Sequence, residues 1–221
     1  MVLRLINKGY KPRYKINTGL GTRIGRLNPA WNAEDQSPNK PFLKAMGIAE
    51  EEFLDQIYSK LMIVRPAYSL VKQAFESRKE FHPSGEFVYF KKTCPWRSHL
   101  FRIEEETKNN GLVKFVFFKD QRGMARVQAM PLNSSGSFQN RISLHVDWRG
   151  KRDKVLDEIS GLEGTVFVHH SGFIGGANDL EVAVKMAELS IEKHNQEKQE
   201  KESDAQSSQE QASTQSSEAP K

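Results

Sequence analysis

The residue types best able to do chemistry stand together at His169-His170-Ser171-Gly172-Phe173-Ile174-Gly175-Gly176. They follow an apolar run, Thr165–Val168, that reads as a buried strand, and precede a helical pattern from about Asn178. A glycine-rich turn between strand and helix lets backbone N–H groups approach a ligand with no Cβ in the way. The helix N-terminus adds orphan donors and partial positive charge, so such a place suits a phosphate. His169, Ser171, Gly172, Gly175 and Gly176 are therefore expected to face a substrate phosphate or base. Asp179 and Glu181 argue the other way, because they already satisfy the dipole of the first helical turn.

Other chemistries fit these residues less well. Consecutive strand side chains point to opposite faces, so His169 and His170 make a poor chelate. No CxxC, HxxE or HExxH spacing accompanies them, and no metal ligand is assigned. Ser171 does not lie in a G-x-S-x-G turn, so no catalytic nucleophile is assigned either. Trp148-Arg149-Gly150-Lys151-Arg152 sets cations beside an aromatic ring, with Arg141 just upstream. Arginine grips phosphate with a two-pronged fork, and tryptophan can stack on a base. Arg141, Arg149 and Arg152 thus join the substrate-binding set; the competing reading is a solvated helix start beside a core tryptophan. Cys94-Pro95-Trp96-Arg97 reads as a rigid turn with a buried ring, and no base stands near the thiol.

The elements that must position these groups follow from periodicity. Residues 18–27 suit a short helix ended by Pro29, whereas residues 1–16 show no clear period. Phe42, Met46, Ala49, Phe53, Ile57 and Leu61 recur at helical spacing, and Pro66 should break or kink that helix. A second helix buries Leu70, Val71, Ala74 and Phe75. Turn chemistry at His82-Pro83-Ser84-Gly85 leads to a strand, Phe87–Phe90. A helix over 96–106 precedes runs at 112–118 and 125–130, which Asp120-Gln121-Arg122-Gly123 joins as an antiparallel hairpin. Residues 134–136 read as a flexible loop. Residues 151–160 form a helix burying Val155, Leu156 and Ile159; Thr165–Val168 is the last strand; Leu180, Ala183, Val184, Ala187 and Ile191 line the last helix. The fold class is α/β (α+β): N-terminal helices followed by a mixed β-sheet with flanking helices. The expected division is a helical segment over 1–82, a mixed-sheet domain over 83–196, and a disordered, acidic Gln/Ser-rich tail over 197–221.

Composition narrows the function classes. The chain has 221 residues, 37% hydrophobic and 28% charged, enough for one substantial domain or two small ones. No run has the length of a membrane span, and no apolar stretch near the start resembles a signal peptide. The single cysteine excludes an internal disulfide and fits a reducing compartment. Residues 197–221 carry a net −3 of the overall +5, leaving +8 on the rest. A basic body suits a phosphate-bearing partner such as RNA or a nucleotide. No acidic residue precedes Glu34, a feature shared with mitochondrial transit peptides.

Several multi-residue motifs then occur in a telling order: Leu27-Asn28-Pro29-Ala30-Trp31-Asn32; Cys94-Pro95-Trp96 with His99-Leu100; Trp148-Arg149-Gly150 with Arg152-Asp153; Phe167-Val168-His169 leading into Gly172-Phe173-Ile174-Gly175-Gly176. From about Arg13 to His194 the chain resembles the C-terminal part of the melanocyte-proliferating-gene exonuclease family, relatives of DHH-type phosphoesterases. The resemblance assigns the basic start to folded sequence rather than to a transit peptide.

The resemblance implies a two-domain, metal-dependent 3′–5′ RNA exonuclease of nucleus or mitochondrion. Its first domain holds two divalent metals, usually manganese, on clustered Asp and His; its second binds substrate. This chain has no Asp-His-His triplet and no Gly-Thr-His-x-Gly-x-Phe-His motif. After Gly176 it has Ala177-Asn178-Asp179 where the family often places a basic residue. The expectation is a truncated member, resembling the substrate-binding half and not catalytic alone. The alternative is an active phosphoesterase once a longer product or a second chain supplies the metal-bearing half. A domain lacking its companion should also expose an apolar face and self-associate.

Overall fold

Short strands that are apolar on both faces dictate a sheet covered from two sides. A computed structural model describes residues 17–134 and 139–216. The aperiodic, basic start (1–16) and most of the loop expected at 134–136 lie outside the described residues. The chain divides into two compact units, 1–67 and 68–221.

In the first unit, α1 (Leu20–Gly25) precedes α2 (Asn39–Tyr58), and Arg23 pairs with Glu52. Pro41 sits in the first turn of α2, where its missing N–H costs nothing. The helical spacing of Phe42, Met46 and Phe53 does give a helix, but these side chains are exposed and α2 buries none of its residues. The helix does not break at Pro66. A π-helical stretch, Ser59–Val64, precedes α3 (Arg65–Glu76), so the wider turn comes just before the residue that cannot donate an N–H.

The second unit begins at Tyr68, earlier than the boundary expected at 83, because Val71 and Phe75 of α3 bury against sheet residues. Leu70, expected inside, is 40% exposed. After α4 (Arg78–Phe81) come β1 (Phe87–Phe90), α5 (Arg97–Glu106), β2 (Phe115–Lys119) and β3 (Ala125–Ala129). A 3-10 turn (Val146–Trp148), α6 (Asp153–Ser160), β4 (Thr165–Val168), β5 (Ile174–Ala177) and α7 (Leu180–Ser216) complete the order. The five strands lie in the order β1-β2-β3-β5-β4. β1 and β2 are parallel through the α5 crossover and the other pairs are antiparallel, so the sheet is mixed as expected.

Alternation sorts the side chains between the faces. Phe87, Phe115, Phe117 and Val127 bury with Leu144, Trp148, Leu156 and Met186. Val88, Phe90 and Val116 bury with Val71, Phe75, Trp96, Leu100 and Met130. One expectation for the later helices needs correction. In α6 only Leu156 is buried, while Val155 and Ile159 are 52% and 47% exposed. The helix starts at Asp153, not 151, so a different narrow stripe faces the sheet. The last helix, α7, runs from Leu180 to Ser216. Ala183, Met186, Ala187 and Ser190 anchor it, and the Glu, Lys and Gln beyond are good helix formers that extend a helix already nucleated.

Candidate nucleic-acid interface

β5 changes the meaning of the glycine-rich segment. Thr165–Val168 is not the last strand: it pairs antiparallel with Ile174–Ala177, and residues 169–173 form the hairpin turn. The Gly172 N–H donates to His169 O at 2.8 Å and the His169 N–H to Ile174 O at 2.9 Å, with Gly172 at φ +70°. Gly175 and Gly176 are therefore not a phosphate cradle between strand and helix. They sit in a strand flanked by β3 and β4, where backbone groups belong to the ladder.

Their lack of side chains serves close packing. A Cβ on Gly175 would lie 2.9 Å from Leu144 Cδ1, and one on Gly176 2.1 Å from Arg126 Nη1 and 2.7 Å from the Phe167 ring. The start of α7 is likewise taken, since Asp179 Oδ1 accepts from the Val182 N–H at 2.9 Å.

The turn itself gathers cations. Gly150 N–H donates to Val168 O at 2.9 Å, Val168 N–H to Lys151 O at 3.1 Å, and Leu144 N–H to Gly172 O at 2.9 Å. These bonds lay residues 149–152 beside the end of β4. Arg149 Nε donates to Leu144 O at 3.2 Å, and a Cβ on Gly172 would lie only 2.6 Å from that nitrogen. Lys151, Arg152 and His170 are exposed. The His169 and His170 rings lie 4.1 Å apart. His169 Nδ1 accepts from the Ser171 N–H at 3.3 Å, so the neutral ring carries its proton on Nε2. Ser171 Oγ is 3.0 Å from the same Nδ1, a contact within the turn.

Two of the expected contacts are committed elsewhere. Arg141 is buried, with Nη1 and Nη2 on the Glu104 carboxylate at 2.7 and 2.6 Å and a further bond to Val113 O. It holds the fold and is not free to meet a phosphate. Trp148 is 3% exposed and stacks on His145 at 4.9 Å between centroids, so its ring is not offered to a base. Cys94 O accepts from the Trp96 N–H at 2.8 Å, and burial pushes the Cys94 thiol pKa up.

Sequence reasoning missed His145, Lys193 and His194, which line a cleft of about 210 Å3 beside Arg149. The signal was present in part: Lys193 and His194 lie on α7 one turn beyond Ser190, whose hydroxyl accepts the His145 N–H at 3.0 Å. It also missed Arg126, which pairs with Asp120 at 2.6 Å and leaves Nη1 buried without a partner. A divalent metal does not fit the residues present: among the described residues no three His, Cys, Asp or Glu converge.

The fold and site define an α/β protein whose hairpin turn carries a basic edge. The chain belongs to the MYG1 exonuclease family, whose model, described as an uncharacterised protein family, matches residues 3–191. It is 44% identical to the MYG1 protein of Dictyostelium discoideum over 181 residues, covering 80% of this chain and 54% of that protein. Against the MYG1 exonuclease of Rattus norvegicus the identity is 42% over 182 residues, covering 82% and 48%. Against that of Homo sapiens it is 41%, with the same coverage. The chain spans about half the length of the curated relatives it matches. No solved structure matches it. No helix among the described residues is long and apolar enough to cross a membrane.

Proposed function

We propose that this chain is the substrate-binding part of a 3′–5′ RNA exonuclease, related to DHH-type phosphoesterases, and that it binds RNA without cutting it unaided. The observation that carries this reading is the convergence of Arg149, Lys151, Arg152, His169 and His170 on one hairpin turn. Such an edge neutralises phosphates in a sequence-independent way. His169 Nε2–H adds a neutral donor, and Gly172 holds the turn that keeps Arg149 in place. Gly175 and Gly176 support this edge through packing.

Several relatives carry the name exonuclease, which supplies the reaction class. The carboxylates for manganese or another divalent metal would come from a metal-bearing domain that the described residues do not include. By the same resemblance the enzyme would work in nucleus or mitochondrion.

Two measurements on the 221-residue protein test this. Single-stranded RNA should bind with affinity that falls steeply with salt, and manganese should produce no shortening of the RNA. Salt-insensitive or absent binding would sink the interface. Metal-dependent release of mononucleotides that scales with protein across preparations would establish activity in this chain alone.

A further inference from the structure

We propose that the cleft beside Arg149 receives a phosphate monoester, the doubly charged end of a phosphorylated strand or nucleotide, in preference to an internal phosphodiester. The inference rests on the phosphate-facing reading of the basic edge and adds which phosphate is recognised. The cleft of about 210 Å3 is lined by residues 140–146 and 149 on one side and by Ser190, Lys193, His194 and Glu197 on the other.

Two of its donors are held before any ligand arrives. Arg149 is pinned through Nε to Leu144 O, which leaves its two terminal nitrogens for a ligand. His145 Nδ1 accepts from the Asp147 N–H at 3.2 Å, so the neutral imidazole keeps its proton on Nε2 and acts as a donor. The ring cannot swing freely, because it stacks on buried Trp148. The His145 N–H donates to Ser190 Oγ, whose own proton goes to Met186 O at 2.7 Å. This relay ties the loop to α7, whose Lys193, about one helical turn beyond Ser190, lines the same cleft.

Charge and size then select the ligand. Arg149 and Lys193 share the lining with one unpaired carboxylate, Glu197, so the lining is net positive, while the Asp147 carboxylate lies outside it, 3.7 Å from His145 Nδ1. A phosphate monoester carries about −1.5 to −2 at neutral pH, whereas a diester carries a single charge. Guanidinium, ammonium and imidazole N–H all belong to the lining, a donor set that can meet the three terminal oxygens of a monoester. At about 210 Å3 the cleft is smaller than pockets that enclose drug-sized ligands, so it takes a terminal group rather than a run of nucleotides.

The test uses the whole chain and five probes: inorganic phosphate, adenosine 5′-monophosphate, and an RNA hexamer bearing a 5′-phosphate, a 3′-phosphate or hydroxyl ends. Binding is read by calorimetry and by the imidazole resonances of His145 and His194. At least one phosphorylated hexamer should bind about tenfold tighter than the hydroxyl-ended one. Which hexamer does so tells which strand end is bound, and the nucleotide arm separates strand from monomer. Lys193→Ala should erase that preference with Tm unchanged, whereas Arg149→Met should lower both the preference and the overall RNA affinity.

Equal binding of all three hexamers, with His145 unmoved by inorganic phosphate, overturns the cleft while leaving the RNA interface standing. Binding of inorganic phosphate with exclusion of every monoester also overturns it. If adenosine 5′-monophosphate binds in a Lys193-dependent way and no hydroxyl-ended hexamer binds, the cleft stands and the RNA interface falls.

Discussion

Arg141 meets Glu104 across the core through two parallel bonds of 2.7 and 2.6 Å, with the side chains 8% and 1% exposed. Glu104 Oε1 also accepts from the Val113 N–H at 2.9 Å, and Arg141 Nη1 also donates to Val113 O, so the pair ties α5, the approach to β2 and the 139–144 loop together. Removing one partner leaves a buried charge with no counterpart. Arg141→Leu or Glu104→Leu should each destabilise by about 3–5 kcal/mol in urea denaturation, while the double variant should cost much less than the sum. Additive losses would show that the two groups act independently.

Gly172 links backbone conformation to the position of Arg149. Gly172→Ala should cost about 1–2 kcal/mol of stability for its left-handed conformation and push Arg149 off Leu144. RNA affinity should fall although no charge is lost. Gly161→Ala is the control, because Gly161 has a similar φ of +68° with nothing within 4 Å of the added Cβ. It should lower Tm comparably and leave binding intact, and a binding loss there would show that stability alone explains both.

Arg152 is exposed, so its loss should leave stability within about 0.5 kcal/mol. If it neutralises one phosphate, Arg152→Ala lowers the slope of log affinity against log salt by about one. An unchanged slope removes Arg152 from the interface.

Asp157 makes stability depend on acid. The Thr165 hydroxyl is the main group holding its carboxyl pKa below the ordinary value, burial opposes this, and the Thr165 and Gly164 N–H groups reinforce it. A lowered folded pKa gives stability that is complete above the unfolded value of about 3.9 and is lost as pH falls through the folded value. Thr165→Val should therefore flatten the acid limb of urea midpoints measured from about pH 2 to pH 6. An acid limb identical to that of the parent would place the dependence on another carboxylate.

Cys94 has its thiol pKa raised by burial, so little thiolate is present near neutrality. Labelling by a thiol reagent at mildly alkaline pH should be slower than for free cysteine, and urea should abolish the difference.

Periodicity carried the sheet well. Phe87–Phe90 and the hairpin at Asp120–Gly123 were readable because β-branched and aromatic runs stand between strong turn residues. β5 was not readable, because Ile174-Gly175-Gly176-Ala177 has almost no side chains to alternate. Its strand character comes entirely from its neighbours, and the glycines imitate a phosphate turn. The nearness of Arg149, Arg152 and His169 was legible for the same local reason: they are close in sequence or follow a strand. Arg141 misled, since nothing local announces Glu104, 37 residues away in sequence. His145 and Lys193 went unseen because only the packing of α7 brings them to one cleft.

At Gly175 and Gly176 the sheet is one backbone thick, with Leu144 and Met186 pressed on one side and Arg126 and Phe167 on the other. No methyl group stands there to absorb drift on either side. Inherited variation on the two faces is thereby coupled: a bulkier residue in this strand becomes tolerable only after a neighbour on the affected face has shrunk. The strand with the least side chain should thus record the longest memory of its surroundings, and accepted changes around it should arrive in pairs.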